Sequence, residues 1–162
     1  MIEIRKAELG DAIIIHQLAH RIYFPTYTGI LSESQMVFML EKSYTEVALQ
    51  ESMQADQKFF LAYSDNLPVG FMALREKDEN ILRIEKLYLL TECQGKGFGK
   101  KLIDFAIMEA LNMGKIIVEL NVNRGNSATS FYHKMGFAVV EEEDIPYYGY
   151  VLDDFIMQKK IA

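Results

Sequence analysis

Apolar and polar residues alternate at the start of the chain, with Ile2 and Ile4 against Glu3 and Arg5, which predicts a short strand. The period then lengthens. Ile14, Ile15, Leu18, Ala19 and Ile22 recur at helical spacing, with Asp11 placed to cap the helix and Pro25 placed to end it. Residues 24–29 read as a loop rich in aromatics. Ser32 opens a second helix, with Gln35 three residues on as a capping box, and Met36, Phe38, Met39 and Leu40 give it apolar surface. Thr45 caps a third helix through Val47, Leu49 and Met53. Residues 58–63 and 68–74 are apolar runs joined by Asp65-Asn66, a hairpin signature, and a charged turn follows at 76–80.

The middle of the chain carries its strongest pattern. Ile81, Leu82 and Ile84, then Leu87, Tyr88, Leu89 and Leu90, form a β-type run too long for an exposed edge. Gln94-Gly95-Lys96-Gly97-Phe98-Gly99 follows, and Leu102, Phe105, Ala106, Met108, Ala110 and Leu111 then recur with helical period, with Gly114 as the stop. Residues 115–122 are apolar and β-branched, a buried strand. A loop at 123–126 leads into a short helix that Gly136 ends. Strands at 137–140 and 150–159 close the chain, and the four acids at 141–144 read as a solvated turn between them. Strands with helices interspersed, hairpins at both ends and a βαβ-like middle predict an α/β (α+β) fold on a mixed sheet, with residues 1–162 forming one domain.

Composition narrows the function classes. The chain has 162 residues, half of them hydrophobic, enough for a sizeable core. A net charge of −6 argues against a nucleic-acid partner. There is no run of membrane-spanning length and no signal-peptide pattern at the start, so the expectation is a cytoplasmic protein with no membrane partner. Cys93 is the single cysteine, a loop residue that agrees with a reducing compartment.

The strand-loop-helix from residue 81 to 113 is where chemistry enters. Glycines let a ligand approach the main chain, and backbone N–H groups opening a helix favour an anion. Lys96, Lys100 and Lys101 add positive charge, so phosphate is the natural guest. The spacing matches neither the nucleoside-triphosphate loop nor the dinucleotide fingerprint, and a tight turn that merely needs glycine is the competing reading. A second stretch, Asn126-Ser127-Ala128-Thr129-Ser130-Phe131-Tyr132-His133-Lys134-Met135-Gly136-Phe137, changes the balance. It resembles the second signature of the GNAT superfamily of acyl-CoA-dependent N-acyltransferases, N-x-x-A-x-x-F-Y-x-K-x-G-F. The glycine loop resembles that family's Q-x-x-G-x-G motif, and the two stand in the family's order with a strand between them.

The resemblance implies the GNAT fold, a mostly antiparallel sheet flanked by helices, in which two central parallel strands splay into a V-shaped cleft for acetyl-CoA. It implies that main-chain groups of Leu87, Tyr88 and Leu89 hold the pantetheine arm, with the Leu87 N–H as oxyanion donor. Gln94, Gly95, Lys96, Gly97, Phe98, Gly99 and Lys100 wrap the pyrophosphate. Asn126 lies near the pantetheine, and Lys134 near the 3′-phosphate or adenine, unless it is a plain surface lysine. Tyr132 is the candidate general acid for the departing thiolate, with packing beside Phe131 as the alternative. Glu85, on the same side of its strand as Leu87, is the candidate base, with an ion pair to Arg83 or Lys86 as the alternative. Arg124 and His133 read as solvated. His16 and His20 stand one helical turn apart, but no third ligand accompanies them, so no metal is expected.

These parts describe an N-acetyltransferase acting by direct attack of an amine in a ternary complex, with a homodimer compatible. The acceptor regions supply Tyr23, Phe24, Tyr27, Tyr147, Tyr148 and Tyr150 near Glu33, Glu41, Asp144, Asp153 and Asp154, which suits a small cationic amine. Residues 24–41 and Glu85-Lys86-Leu87-Tyr88-Leu89 are loosely similar to spermine/spermidine-type bacterial members. A peptide or protein N-terminus as acceptor, and a non-catalytic acyl-CoA-sensing module, are the competing readings.

Overall fold

The computed structural model describes all 162 residues. The elements in chain order are β1 (Ile2–Lys6), a 3-10 turn (Leu9–Asp11), α1 (Ala12–Tyr27), α2 (Glu33–Ser43), α3 (Glu46–Ala55), β2 (Lys58–Ser64), β3 (Leu67–Glu76), β4 (Ile81–Leu89), a second 3-10 turn (Thr91–Cys93), α4 (Phe98–Asn112), β5 (Ile117–Asn123), α5 (Ala128–Lys134), β6 (Ala138–Tyr147) and β7 (Tyr150–Lys160). The strand order is β1-β2-β3-β4-β5-β7-β6. β4 and β5 pair in parallel over Ile81–Ile84 and Ile117–Leu120, while β1–β2, β2–β3, β5–β7 and β6–β7 are antiparallel. This is the mixed sheet that the hydrophobic pattern predicts, with the mostly antiparallel pairing that the resemblance implies.

The chain divides into two units, with β4 and α4 each running from one into the other. The first unit comprises Met1–Arg75 and Glu85–Leu102. Phe59 to Ala62 of β2 and Val69 to Leu74 of β3 are buried without alternation, the mark of strands covered on both faces. Ala12, Ile15, Leu18, Ala19, Ile22 and Tyr23 give α1 one buried stripe. Ser32 and Thr45 cap α2 and α3 by accepting the N–H groups of Gln35 and Ala48, each at 3.1 Å. Gln35 is itself buried, and its side-chain amide nitrogen has no hydrogen-bond partner.

The second unit comprises Glu76–Ile84 and Ile103–Ala162. Val118, Leu120, Met157, Ile103, Ala106 and Ala110 are core residues here. Glu119 lies among them with only 1 % exposure, and Lys77, Arg83 and Gln158 all donate to its carboxylate.

Four sequence expectations need correction. Pro25 does not end α1, which continues to Tyr27; in the last turn a proline forfeits one backbone bond, and the Thr28 N–H still reaches the Phe24 carbonyl at 2.9 Å. Asp11 does not cap α1 with its side chain, because its carboxylate accepts the Glu8 N–H at 2.8 Å instead. The strand expected from residue 115 starts at Ile117, since Lys115 is buried with its ammonium on the carbonyls of Asp78 and Glu79. The acids 141–144 are not a turn but the middle of β6, the last strand in the sheet order, where an exposed edge accepts charge.

Candidate active site

The glycine loop has the conformation its sequence demands. After β4 the chain makes the 3-10 turn, with Cys93 buried, the Leu90 N–H on the Val69 carbonyl at 2.8 Å and the Gln94 N–H on the Thr91 carbonyl at 3.2 Å. Gly95 and Gly97 then adopt φ of 80° and 79°, which an L side chain resists, and a Cβ at either would meet nothing within 4 Å. Open space therefore lies over both. Phe98 is buried and anchors the start of α4, so Gly99, Lys100 and Lys101 occupy its first turn, with the Lys101 N–H on the Gly97 carbonyl at 3.3 Å. Lys96, Lys100 and Lys101 are exposed around it. Open space at a helix N-terminus and cationic side chains around it fit a pyrophosphate.

Leu87, Tyr88 and Leu89 end β4 half-buried. The Tyr88 ring packs within 5.5–6.4 Å of Tyr23, Tyr27, Tyr44 and Phe71, and its hydroxyl lies 2.9 Å from the Tyr27 hydroxyl. Burial pushes its phenol well above the usual range, and the side chain belongs to the interior of the first unit. Tyr23 is buried in the same cluster, with 4 % exposure, and offers no face to an acceptor.

Glu85 has an ion-pair partner that the sequence did not suggest, Arg75. Arg75 Nε donates to Glu85 Oε1 at 2.8 Å. Arg83 is directed to Glu119 and Asn121. Lys86 donates to Gln57 Oε1 at 2.8 Å and lies over the rings of Phe59 and Tyr44. Burial lowers the Lys86 ammonium to about 8, against the opposing charges of Glu85 and Asp56. Sequence reading gave Arg75 no role at the site, and Lys86 only that of an ion-pair partner for Glu85.

In the second unit, β5 leads into α5. Asn126 Oδ1 accepts the Ala128 N–H at 2.9 Å, so this side chain braces the start of the helix. Tyr132 is buried against Phe131 and Phe137, at centroid distances of 5.3 and 6.1 Å, and burial pushes its phenol up to about 12. Packing and a protonated hydroxyl therefore coexist in one residue. Lys134 and His133 are exposed. Arg124 is not merely solvated. Its guanidinium bonds Asp144 Oδ1 at 2.7 Å and the Glu143 carbonyl at 2.8 Å, which ties the loop after β5 to β6. Tyr147 and Tyr148 stack edge to face at the β6–β7 turn, where Tyr148 and Gly149 both take positive φ.

His16 and His20 stack at 4.2 Å, and their Nδ1 atoms donate to the carbonyls of Tyr44 and His16. No group of three His, Cys, Asp or Glu side chains is arranged to hold a metal. No helix is long and apolar enough to cross a membrane.

A sequence model of the acetyltransferase (GNAT) domain matches residues 28–147. Among curated proteins, the chain is 31 % identical to the spermidine N(1)-acetyltransferase of Thermoplasma acidophilum, over 98 % of this chain and 97 % of that one. Among solved structures it is similar to the PaiA N-acetyltransferase of Thermoplasma acidophilum in complex with coenzyme A, with a TM-score of 0.84 and 32 % identity over 99 % of both chains. A GCN5-related N-acetyltransferase of Rhodopseudomonas palustris shares the fold, with a TM-score of 0.82 and 21 % identity over 98 % of this chain and 94 % of that one. The motif order, the mixed sheet and these likenesses agree, and the chain belongs to the GNAT family of acetyltransferases, whose cosubstrate is acetyl-CoA.

Proposed function

We infer that the protein transfers the acetyl group of acetyl-CoA to a primary amine of a small cationic molecule, with a polyamine such as spermidine as the acceptor. The observation that carries this reading is the near full-length likeness to a coenzyme A complex and to a spermidine acetyltransferase, together with the open glycine turn at Gly95 and Gly97.

In this reading the pyrophosphate rests on the main chain of Gln94, Gly95, Lys96, Gly97, Phe98, Gly99 and Lys100, and the pantetheine runs along Leu87, Tyr88 and Leu89. Asn126 and Lys134 serve the pantetheine and the adenine end. The ammonium must first lose a proton, because it has no lone pair; Glu85 accepts it directly or through water. The amine nitrogen then attacks the thioester carbonyl, and the Leu87 N–H stabilises the oxyanion. Collapse breaks the C–S bond, and the electron pair leaves on sulfur. Tyr132 gives the sulfur its proton, and the nitrogen sheds its second proton to water, which reprotonates the phenolate. A buried phenol makes a costly phenolate, so the proton is shared with the sulfur as it departs rather than lost beforehand.

Cation recognition has support on α2, where Glu33 and Glu41 flank an open hollow lined also by Ser34, Val37 and Phe38. Carboxylates beside apolar surface suit an ammonium on a methylene chain. A panel of spermidine, diamines, amino acids and short peptides, read as thiol release per kcat/KM, tests the acceptor. Spermidine should lead, with a KM that rises with salt. Equal rates with neutral-bodied amines would discard the polyamine, a peptide optimum would favour the N-terminal reading, and tight cofactor binding without turnover of any amine would favour a sensor.

A further inference from the structure

Gly70, in β3, takes no positive φ, so its backbone conformation does not require glycine. Its surroundings do. A Cβ at Gly70 would lie 2.5 Å from the Tyr88 carbonyl oxygen, 2.7 Å from Leu89 Cδ2 and 3.3 Å from Leu89 Cα. The first two separations are below 3.0 Å, which real Cβ atoms essentially never show. In a regular ladder, carbonyls lie close to the sheet plane and Cβ atoms stand out of it. The Tyr88–Leu89 peptide therefore leans over the place where a side chain on β3 would stand. The peptide is trans, so its N–H points away from Gly70 as its carbonyl points toward it. One residue later the Leu90 N–H is fastened to the Val69 carbonyl at 2.8 Å, so β4 is held down beside Gly70 and has no slack to move off.

We propose that Gly70 is a positioning residue for the cofactor: its missing side chain lets the Tyr88–Leu89 peptide tilt over β3, which sets the direction in which the end of β4 presents its N–H and carbonyl groups to the pantetheine arm. This rests on the reading that Leu87 to Leu89 hold that arm through the main chain. A methyl group at Gly70 displaces a backbone oxygen, not the tip of a flexible side chain, so the strand end itself must shift. A misplacement of about 1 Å at a positioning group is enough to cost on the order of 10²-fold in rate.

The test compares Gly70→Ala with Ala73→Gly on the full chain. Ala73 is also a buried β3 residue, and its variant removes a methyl group instead of adding one, so it supplies loss of stability without a new clash. Acetyl-CoA affinity is read by calorimetry, kcat/KM by thiol release and Tm by thermal unfolding. Gly70→Ala should weaken acetyl-CoA binding about tenfold and lower kcat/KM by on the order of 10²-fold, while Ala73→Gly lowers Tm and keeps the wild-type Kd. If folded Gly70→Ala binds acetyl-CoA as the wild type does, the proposal fails. Should Gly70→Ala not fold, the same substitution is made in Leu89→Ala, which removes the side-chain contact and leaves the carbonyl one. Affinity should still fall relative to Leu89→Ala alone, and equal affinity would overturn the role. Wild-type protein that does not bind acetyl-CoA would instead overturn the underlying assignment of β4.

Discussion

Arg75 Nε donates to Glu85 Oε1 across 2.8 Å, with both side chains mostly buried. The pair fastens a carboxylate of β4 to β3 and fixes its orientation. A charge held this way serves either as a brace or as an oriented base, and the two roles separate experimentally. Glu85→Gln keeps the size and loses the proton acceptor. As a base, its loss should lower kcat by about 10²-fold or more with little change in acetyl-CoA Kd. Arg75→Ala removes the brace but leaves the carboxylate, so it should cost more stability than rate. If Glu85→Gln retained full kcat, or if both variants lost rate only in proportion to Tm, Glu85 would be a structural residue.

Tyr132→Phe deletes one oxygen from a ring that keeps its contacts with Phe131 and Phe137. The expected outcome is a kcat lower by about 10²–10⁴-fold at unchanged Kd for acetyl-CoA, provided thiolate protonation limits the rate. The phenol is active when protonated and is pushed up to about 12, so no alkaline loss of activity below that pH should come from Tyr132. A wild-type alkaline limb that vanished in Tyr132→Phe would contradict this, and an unchanged kcat would leave the residue to packing.

The glycine loop was legible because its requirement is local. Positive φ at Gly95 and Gly97 is a property of single residues, and so are the Ser32 and Thr45 caps. What eluded the sequence depends on partners far along the chain. Tyr88 reads as one more strand aromatic until its hydroxyl meets that of Tyr27, 61 residues away. Arg75 lies closer in sequence to Glu85 than that, yet not adjacent to it, and register decides the pair. The acids 141–144 fail for a different reason. An exposed edge strand carries no burial pattern, so charge there looks the same as charge in a turn.

Gly97→Asp and Gly97→Asn form a matched pair for the pyrophosphate site. Both side chains tolerate the left-handed conformation better than other residues, and they differ mainly in charge. The open space over Gly97 admits either. Both should lose some stability from φ of 79°. Only the aspartate places an anion where phosphate is expected, so it should bind acetyl-CoA at least about tenfold more weakly than the asparagine, with the gap closing as salt rises. Equal affinities would move the phosphate away from this loop.

Glu119 predicts an acid limit to stability. Burial by itself would raise its carboxyl, but hydrogen bonds from Gln158, Arg83 and Lys77 outweigh that and hold it below the ordinary value. A carboxylate with a lowered folded-state pKa contributes stability that is present above the unfolded value and is lost as pH falls through the folded one. The wild-type Tm should therefore fall on acidification below the usual carboxylate range. Glu119→Gln keeps the shape but removes the buried carboxylate to which Arg83, Lys77 and Gln158 donate, which should cost about 3–5 kcal/mol at neutral pH. Its Tm should also fall less steeply with acid, because the group that titrates is gone. Thermal unfolding of both proteins from neutral to acid pH decides this: curves that run parallel would show that Glu119 binds its proton equally in the folded and unfolded chain, and the buried network would then have no part in acid stability.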